Sequence, residues 1–160
     1  MVLSDFSTAK NTNDWYILND GVMGGKSEGE FFTDKDGYAV FQGDVSLKNN
    51  GGFTSVRYDF DTKNIEGKSV VKIELKGDKK NYQFRTKEEA EGRFQFKHEF
   101  ETSGKWETIE ISLKEMTPSW RGMRPNVPNF SATTINQIGF LIANKKNEKF
   151  KLMIKKIWLE

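Results

Sequence analysis

Ser69-Val70-Val71-Lys72-Ile73-Glu74-Leu75-Lys76 sets Val71, Ile73 and Leu75 on one face of an extended chain and Lys72, Glu74 and Lys76 on the other. A two-residue alternation of this kind is what a strand with one buried and one wet face requires. The pattern recurs at 38–47, 53–60, 82–86, 93–100, 105–113, 135–143 and 150–159, and 28–32 also reads as extended. Asp34-Lys35-Asp36-Gly37, Gly77-Asp78 and Ser103-Gly104 supply turn residues between these runs, and only 113–116 looks like a helical turn. Eight or nine strands without a linker or repeat predict one all-β domain over 1–160, a two-sheet β-sandwich of jelly-roll type. At Lys155-Lys156 the alternation slips as it does at a β-bulge, a pattern compatible with an edge strand.

Composition narrows the function. A chain of 160 residues can bury roughly 70% of its unfolded surface without disulfides, and this one has no cysteine. That removes a disulfide framework, a thiol nucleophile and a thiolate metal site. A net charge of +2 with scattered lysines gives no stripe for nucleic acid. The start, Met1-Val2-Leu3-Ser4-Asp5-Phe6, has neither the basic opening nor the apolar run of a secretory signal, so a cytoplasmic location is expected. The longest apolar run, 138–143, is far short of the roughly 20 residues that span a bilayer; it reads as a buried strand, and no membrane insertion is expected.

Two glycine motifs stand out: Asn19-Asp20-Gly21-Val22-Met23-Gly24-Gly25-Lys26-Ser27 and Asn49-Asn50-Gly51-Gly52-Phe53-Thr54-Ser55-Val56-Arg57. Glycine admits positive φ and close backbone approach, so Gly21, Gly24, Gly25, Gly51 and Gly52 are expected to shape loops that build one site or one corner. Gly-Gly-Lys-Ser invites comparison with a phosphate loop. That motif needs four residues between its first glycine and the Gly-Lys-Ser end, whereas Gly21 and Gly25 are separated by three, and a helix must follow where 28–32 reads as extended. Nucleotide hydrolysis is therefore not expected.

Strand alternation also identifies the side chains that leave the core. In 53–60, Thr54, Val56, Tyr58 and Phe60 point one way while Phe53, Ser55, Arg57 and Asp59 point the other; Tyr82 and Phe84 go inward, and Gln83 and Arg85 outward. Arg57 and Arg85 share a polar surface if their strands are neighbours. A guanidinium is a planar donor fork that lysine cannot imitate, so each arginine is either a partner contact or, for Arg57, an internal tie to Asp20 or Asp59. Trp120-Arg121-Gly122-Met123-Arg124-Pro125, between Pro118 and Pro128, is a candidate flap over that surface. The candidate binding residues are Asp20, Ser27, Ser55, Arg57, Gln83, Arg85, Trp120 and Arg121.

Catalytic and metal chemistry find little support. His98 alternates with Phe94, Phe96 and Phe100 and reads as a satisfied inward histidine; Glu88, Glu89 and Glu91 fall in a charged turn facing solvent. Asp34-Lys35-Asp36-Gly37 is too short for a twelve-residue calcium loop, and Asp14, Asn19, Asp20 and Glu160 converge only if the termini meet. No catalytic residue, metal or cofactor is expected.

The run from Trp15 through Asn19–Ser27, then Phe41-Gln42-Gly43 and Gly51–Arg57, resembles the complex I intermediate-associated protein 30 family. Gly77-Asp78 with Tyr82, the Trp106 strand, Trp120-Arg121-Gly122 and 135–142 follow in family order, so the resemblance covers nearly the whole chain. It implies a galactose-binding-like jelly roll. It also implies a role like that of the mitochondrial member, a non-catalytic assembly factor for respiratory complex I, although the family includes compact proteins of other or unassigned roles, and the Lys- and Asn-rich composition here resembles a bacterial protein. The leading expectation is a protein-binding or assembly domain, with membrane-complex subunits as candidate partners. The alternative is a carbohydrate or small-ligand binding module, with Trp15, Tyr82 and Trp120 as stacking faces.

Overall fold

The computed structural model describes residues 1–8, 12–20 and 24–160. Among them lie twelve strands: β1 (Val2–Asp5), β2 (Trp15–Asn19), β3 (Glu28–Thr33), β4 (Ala39–Val45), β5 (Thr54–Asn64), β6 (Val70–Lys76), β7 (Asn81–Lys87), β8 (Gln95–Glu101), β9 (Trp106–Ser112), β10 (Thr117–Ser119), β11 (Thr134–Ile142) and β12 (Glu148–Leu159). The first sheet runs β3-β4-β12-β6-β9 with β1 added against β12, and the second runs β10-β8-β7-β11-β5-β2. Every pairing is antiparallel. The chain is an all-β jelly-roll sandwich, as the alternation predicts. β1, β2 and β10 escape the sequence reading because three to five residues are too few for a period of two to show.

Each sheet turns its apolar face inward. In β6 and β7 alternate residues are buried, and Val71, Ile73, Leu75, Tyr82 and Phe84 join one core. Rings knit the two sheets: Trp15 of β2, flanked within its own sheet by Tyr58 of β5 at 5.2 Å, stacks on Phe31 of β3 at 4.9 Å, while Tyr82 of β7 meets Phe150 of β12 at 6.3 Å. Trp15 and Tyr82 are thus 7% and 1% exposed, core residues rather than stacking platforms. Tyr82 Oη donates to Asp78 Oδ1 at 2.9 Å, and burial, reinforced by that carboxylate, raises its pKa.

The slip at Lys155-Lys156 is a bulge, with the β12–β6 register shifting between Ile154 and Lys156. The strand is central, however, not an edge, because β12 pairs with β4, β6 and β1. On the edge of β12 opposite β6 the Phe6 N–H donates to the Lys155 carbonyl at 3.0 Å, continuing the β1 ladder that docks the start of the chain. The termini meet there: the Met1 amine donates to Leu159 O at 3.0 Å. Glu160 nevertheless turns to Lys72 at 2.8 Å and to the Trp158 indole, so it assembles no oxygen cage with Asp20.

Candidate functional site

The outer face of the second sheet carries most of the candidate residues that leave the core. Register aligns Tyr16 (β2) with Arg57 (β5), Arg57 with Gly139 (β11), Gly139 with Arg85 (β7), and Arg85 with Lys97 (β8). Paired residues share a face, so one transverse row reads Tyr-Arg-Gly-Arg-Lys. The two arginine strands are not direct neighbours; they flank the same glycine. A Cβ at Gly139 would lie 2.5 Å from Val56 O and 3.4 Å from Arg57 Cγ, so only glycine lets β5 and the Arg57 stem approach this closely.

Arg57 extends across that gap to β8, where Nη2 donates to Gln95 Oε1 at 3.3 Å. Arg85 Nη1 donates to the same oxygen at 2.9 Å, and its Nε and Nη2 both reach Gln83 Oε1. From Gln95 the chain continues: its Nε2 donates to Gln137 Oε1 at 2.5 Å, Gln137 Nε2 to Asp59 Oδ1 at 2.7 Å, and Tyr16 Oη to Asp59 Oδ2 at 2.9 Å. An ionised carboxylate only accepts and a guanidinium only donates. Asp59 at one end and the arginines at the other therefore fix the orientation of both glutamine amides.

The electrostatics at the arginine end are unbalanced. None of the ion pairs among the described residues involves Arg57, Arg85 or Lys97. Burial, and then repulsion from Arg57, pushes Arg85 down from 12.5 to about 10. At 1.36 kcal/mol per pKa unit, holding that charge costs on the order of 3 kcal/mol. Lys97 is lowered by burial and then by Arg85, with Glu99 opposing. Arg57 Nε is buried with no acceptor among the described residues, so the face has more donors than acceptors.

The two glycine motifs do meet, as a corner built on Asp20. That carboxylate is 1% exposed and accepts from the Ser27 N–H at 2.8 Å, Ser27 Oγ at 2.5 Å, the Gly52 N–H at 2.6 Å and the Phe53 N–H at 3.3 Å. A Cβ on Gly25 or Gly51 would overlap the Asp20 side chain. Gly24 and Gly52 take φ of 88° and 140°, and Gly21 lies outside the described residues. Burial disfavours the Asp20 charge, but the hydrogen bonds from Ser27, Gly52 and Phe53 outweigh it and hold the pKa below the ordinary value. Ser55 is likewise buried, its Oγ donating to Leu18 O at 2.6 Å. Asp20, Ser27 and Ser55 thus bond internally, because each sits where backbone donors or acceptors need a partner. Arg57 ties to neither Asp20 nor Asp59, whose oxygens are taken by other donors.

Trp120 to Met123 form a two-residue hairpin closed by two backbone bonds of 2.9 Å, with Arg121 and Gly122 at φ 50° and 77°, the positive pair of a type I′ turn. It follows β10, where Ser119 pairs with Gln95, so it emerges beside the arginine end of the ladder. Arg121 packs on the Trp120 ring at 4.8 Å and Arg93 lies 6.0 Å from it, so guanidinium groups already occupy this indole. His98 is only half-buried, with Nδ1 unpartnered and Nε2 4.0 Å from Glu115, because β8 approaches the sheet edge there. Among the described residues no group of three or more His, Cys, Asp or Glu could hold a metal ion.

Of the expected residues, the structure brings Arg57, Gln83 and Arg85 together and sets Trp120 and Arg121 beside them. Sequence reasoning missed Gln95, Lys97, Gln137, Gly139 and Tyr16. For Gln95 and Lys97 the signal was present, as the outward partners of Phe96 and Phe100. Gln137 and Gly139 fall on the outward face of a strand whose next outward side chain, Leu141, is apolar, and Tyr16 lies in a strand too short to read.

These features define a jelly-roll β-sandwich of galactose-binding-like type. The family model for complex I intermediate-associated protein 30 (CIA30) matches residues 4–154, and the chain belongs to that family. Among solved structures it is similar to the family 11 carbohydrate-binding module of the cellulosomal cellulase Lic26A-Cel5E of Clostridium thermocellum (TM-score 0.72, 17% identity, 99% of this chain and 92% of that one). The Clostridium thermocellum family 11 module in complex with a β-1,3-1,4-mixed-linked tetrasaccharide gives TM-score 0.73 at 16% identity, covering 99% and 93%. An exo-β-agarase matches at TM-score 0.63 and 12% identity over 99% of this chain and 25% of that one. At such identities the likeness establishes the fold alone. The comparison with curated proteins finds no matching relative. No helix among the described residues is long and apolar enough to cross a membrane.

Proposed function

We propose that this chain is a cytoplasmic, non-catalytic binding domain that docks a protein partner on the outer face of its second sheet, in an assembly role like the one its family is named for. The observation that carries this reading is the arginine end of the ladder, where Arg57 and Arg85 share one amide oxygen and have no carboxylate partner among the described residues. Protein interfaces concentrate binding energy in arginine and aromatic anchors, and Arg121 on Trp120 with exposed Met123 adds such a group at the border of the face. Candidate partners are subunits of a membrane complex.

Carbohydrate binding is the second reading, favoured by the mixed amide, hydroxyl and carboxylate lining from Tyr16 to Gln83 and by the fold shared with carbohydrate-binding modules. Sugar rings are held largely by stacking on open aromatic faces. Here Tyr16 is the exposed aromatic on the row and Trp120 is covered by guanidinium groups, which supports the protein reading instead. Affinity purification from the native source tests the choice. Recovery of defined subunits, lost when Arg57 and Arg121 are changed together, is the expected result; saturable glycan-array binding with no consistent protein would overturn it.

A further inference from the structure

We infer that Arg57 and Arg85, bridged over Gly139, form a receptor for a carboxylate, and that the docked element is an acidic peptide segment of the partner. This rests on the protein-binding reading and adds the chemistry of what is recognised. Three independent features point to an anion. The two guanidiniums converge on Gln95 Oε1 instead of separating, although neither takes part in an ion pair among the described residues. Asp59, two residues from Arg57 on the same strand face, has its oxygens taken by Gln137 Nε2 and Tyr16 Oη, which leaves Arg57 Nε with no acceptor among the described residues. Lys97 continues the cationic row in register beyond Arg85.

Glycine at 139 is part of the receptor, because a side chain there would fill the space over which the Arg57 stem lies. A carboxylate fits this arrangement bidentately, and two half-buried guanidiniums give it more than a solvated lysine cluster does. Another lysine-rich site, a cavity of about 480 Å³ lined by Lys79, Lys80, Lys145 and Lys146 together with Glu99, lacks such preorganisation: Lys80 is partnered by Asp78 at 3.7 Å. It serves as an internal control.

The test is an NMR titration of the labelled full chain with a hexaglutamate peptide, following the Gly139 amide and the Arg57 and Arg85 Nε–H signals. Hexaglutamine, an oligogalacturonate and the mixed-linked tetrasaccharide serve as comparison ligands. The expected result is saturable shifts at these three signals with hexaglutamate and none with hexaglutamine. Affinity should fall about tenfold or more in Arg85→Gln and in Arg57→Gln, and should fall on added salt. Circular dichroism of both variants separates lost binding from lost fold. Shifts confined to Lys145 and Lys146, or equal responses to hexaglutamate and hexaglutamine, would overturn the carboxylate receptor while leaving protein docking intact. Stronger binding of the oligogalacturonate or the neutral tetrasaccharide at Gly139 would instead overturn the protein reading itself.

Discussion

Arg57 and Arg85 stand opposite the same residue, Gly139, from strands on either side of it, and their guanidiniums donate to one oxygen of Gln95. Two cations placed this way repel each other in a partly desolvated setting. An anion docked on the proposed binding face relieves that repulsion.

Because Arg57 is tied to an amide and not to a carboxylate, its truncation leaves no buried charge behind. Arg57→Ala should therefore cost less than about 1 kcal/mol, the range of a single long hydrogen bond. A buried ion pair would cost about 3 to 5 kcal/mol. Thermal or urea unfolding reads the difference directly, and a loss in the upper range would reveal a carboxylate partner for Arg57.

At Gly139 the predicted effect is on both stability and binding. A methyl group there must push back Val56 O and the Arg57 stem. Gly139→Ala should lose about 1 to 3 kcal/mol as an overpacked site and displace the Arg57 Nε–H resonance. An unperturbed resonance would show that the arginine does not lie across this strand.

Asp20 supports a pH prediction. Its folded pKa lies below the ordinary carboxyl value, so the stability it supplies is complete above the unfolded pKa of about 3.9 and disappears as pH falls through the lower folded value. Asp20→Asn should cost on the order of 2 to 3 kcal/mol at neutral pH. The gap in melting temperature between wild type and variant should stay constant from about pH 5 to 8 and shrink below about pH 4. A gap that widened in acid would contradict the role assigned to the ionised form.

The glycines of the first motif should separate by mechanism. Gly24 has open space around it but φ of 88°, so Gly24→Ala meets only backbone strain, about 1 kcal/mol. Gly25→Ala drives a methyl group into the Asp20 side chain and should cost distinctly more. Equal melting temperatures for the two variants would remove Asp20 from the centre of this corner.

The fold was legible because alternation is a local signal that burial of one sheet face imposes. Val71, Ile73 and Leu75 announce it, as do Tyr82 and Phe84, and even the bulge at Lys155-Lys156 shows as a slipped period. Strand order was not legible: nothing local tells that β12 is central or that β5 and β7 both border β11. The site inherits that gap. Arg57, Gln83 and Arg85 can be assigned outward from their own strands, but the meeting of the arginines over Gly139 depends on pairing between residues far apart in sequence. Asp20 misled for a related reason, since a carboxylate among glycines and serines reads the same whether it faces a ligand or the backbone donors of two loops.

The central claim is that this face, and not the opposite sheet, meets a protein. A photo-crosslinking residue placed at Tyr16, exposed at the end of the arginine row, should capture a discrete protein in the native cell, and the same probe at Lys151, exposed on β12 of the first sheet, should not. Adding Arg57→Gln and Arg85→Gln should abolish the Tyr16 adduct while circular dichroism stays unchanged. Adducts of equal yield from both positions, or a Tyr16 adduct indifferent to the arginines, would contradict the account.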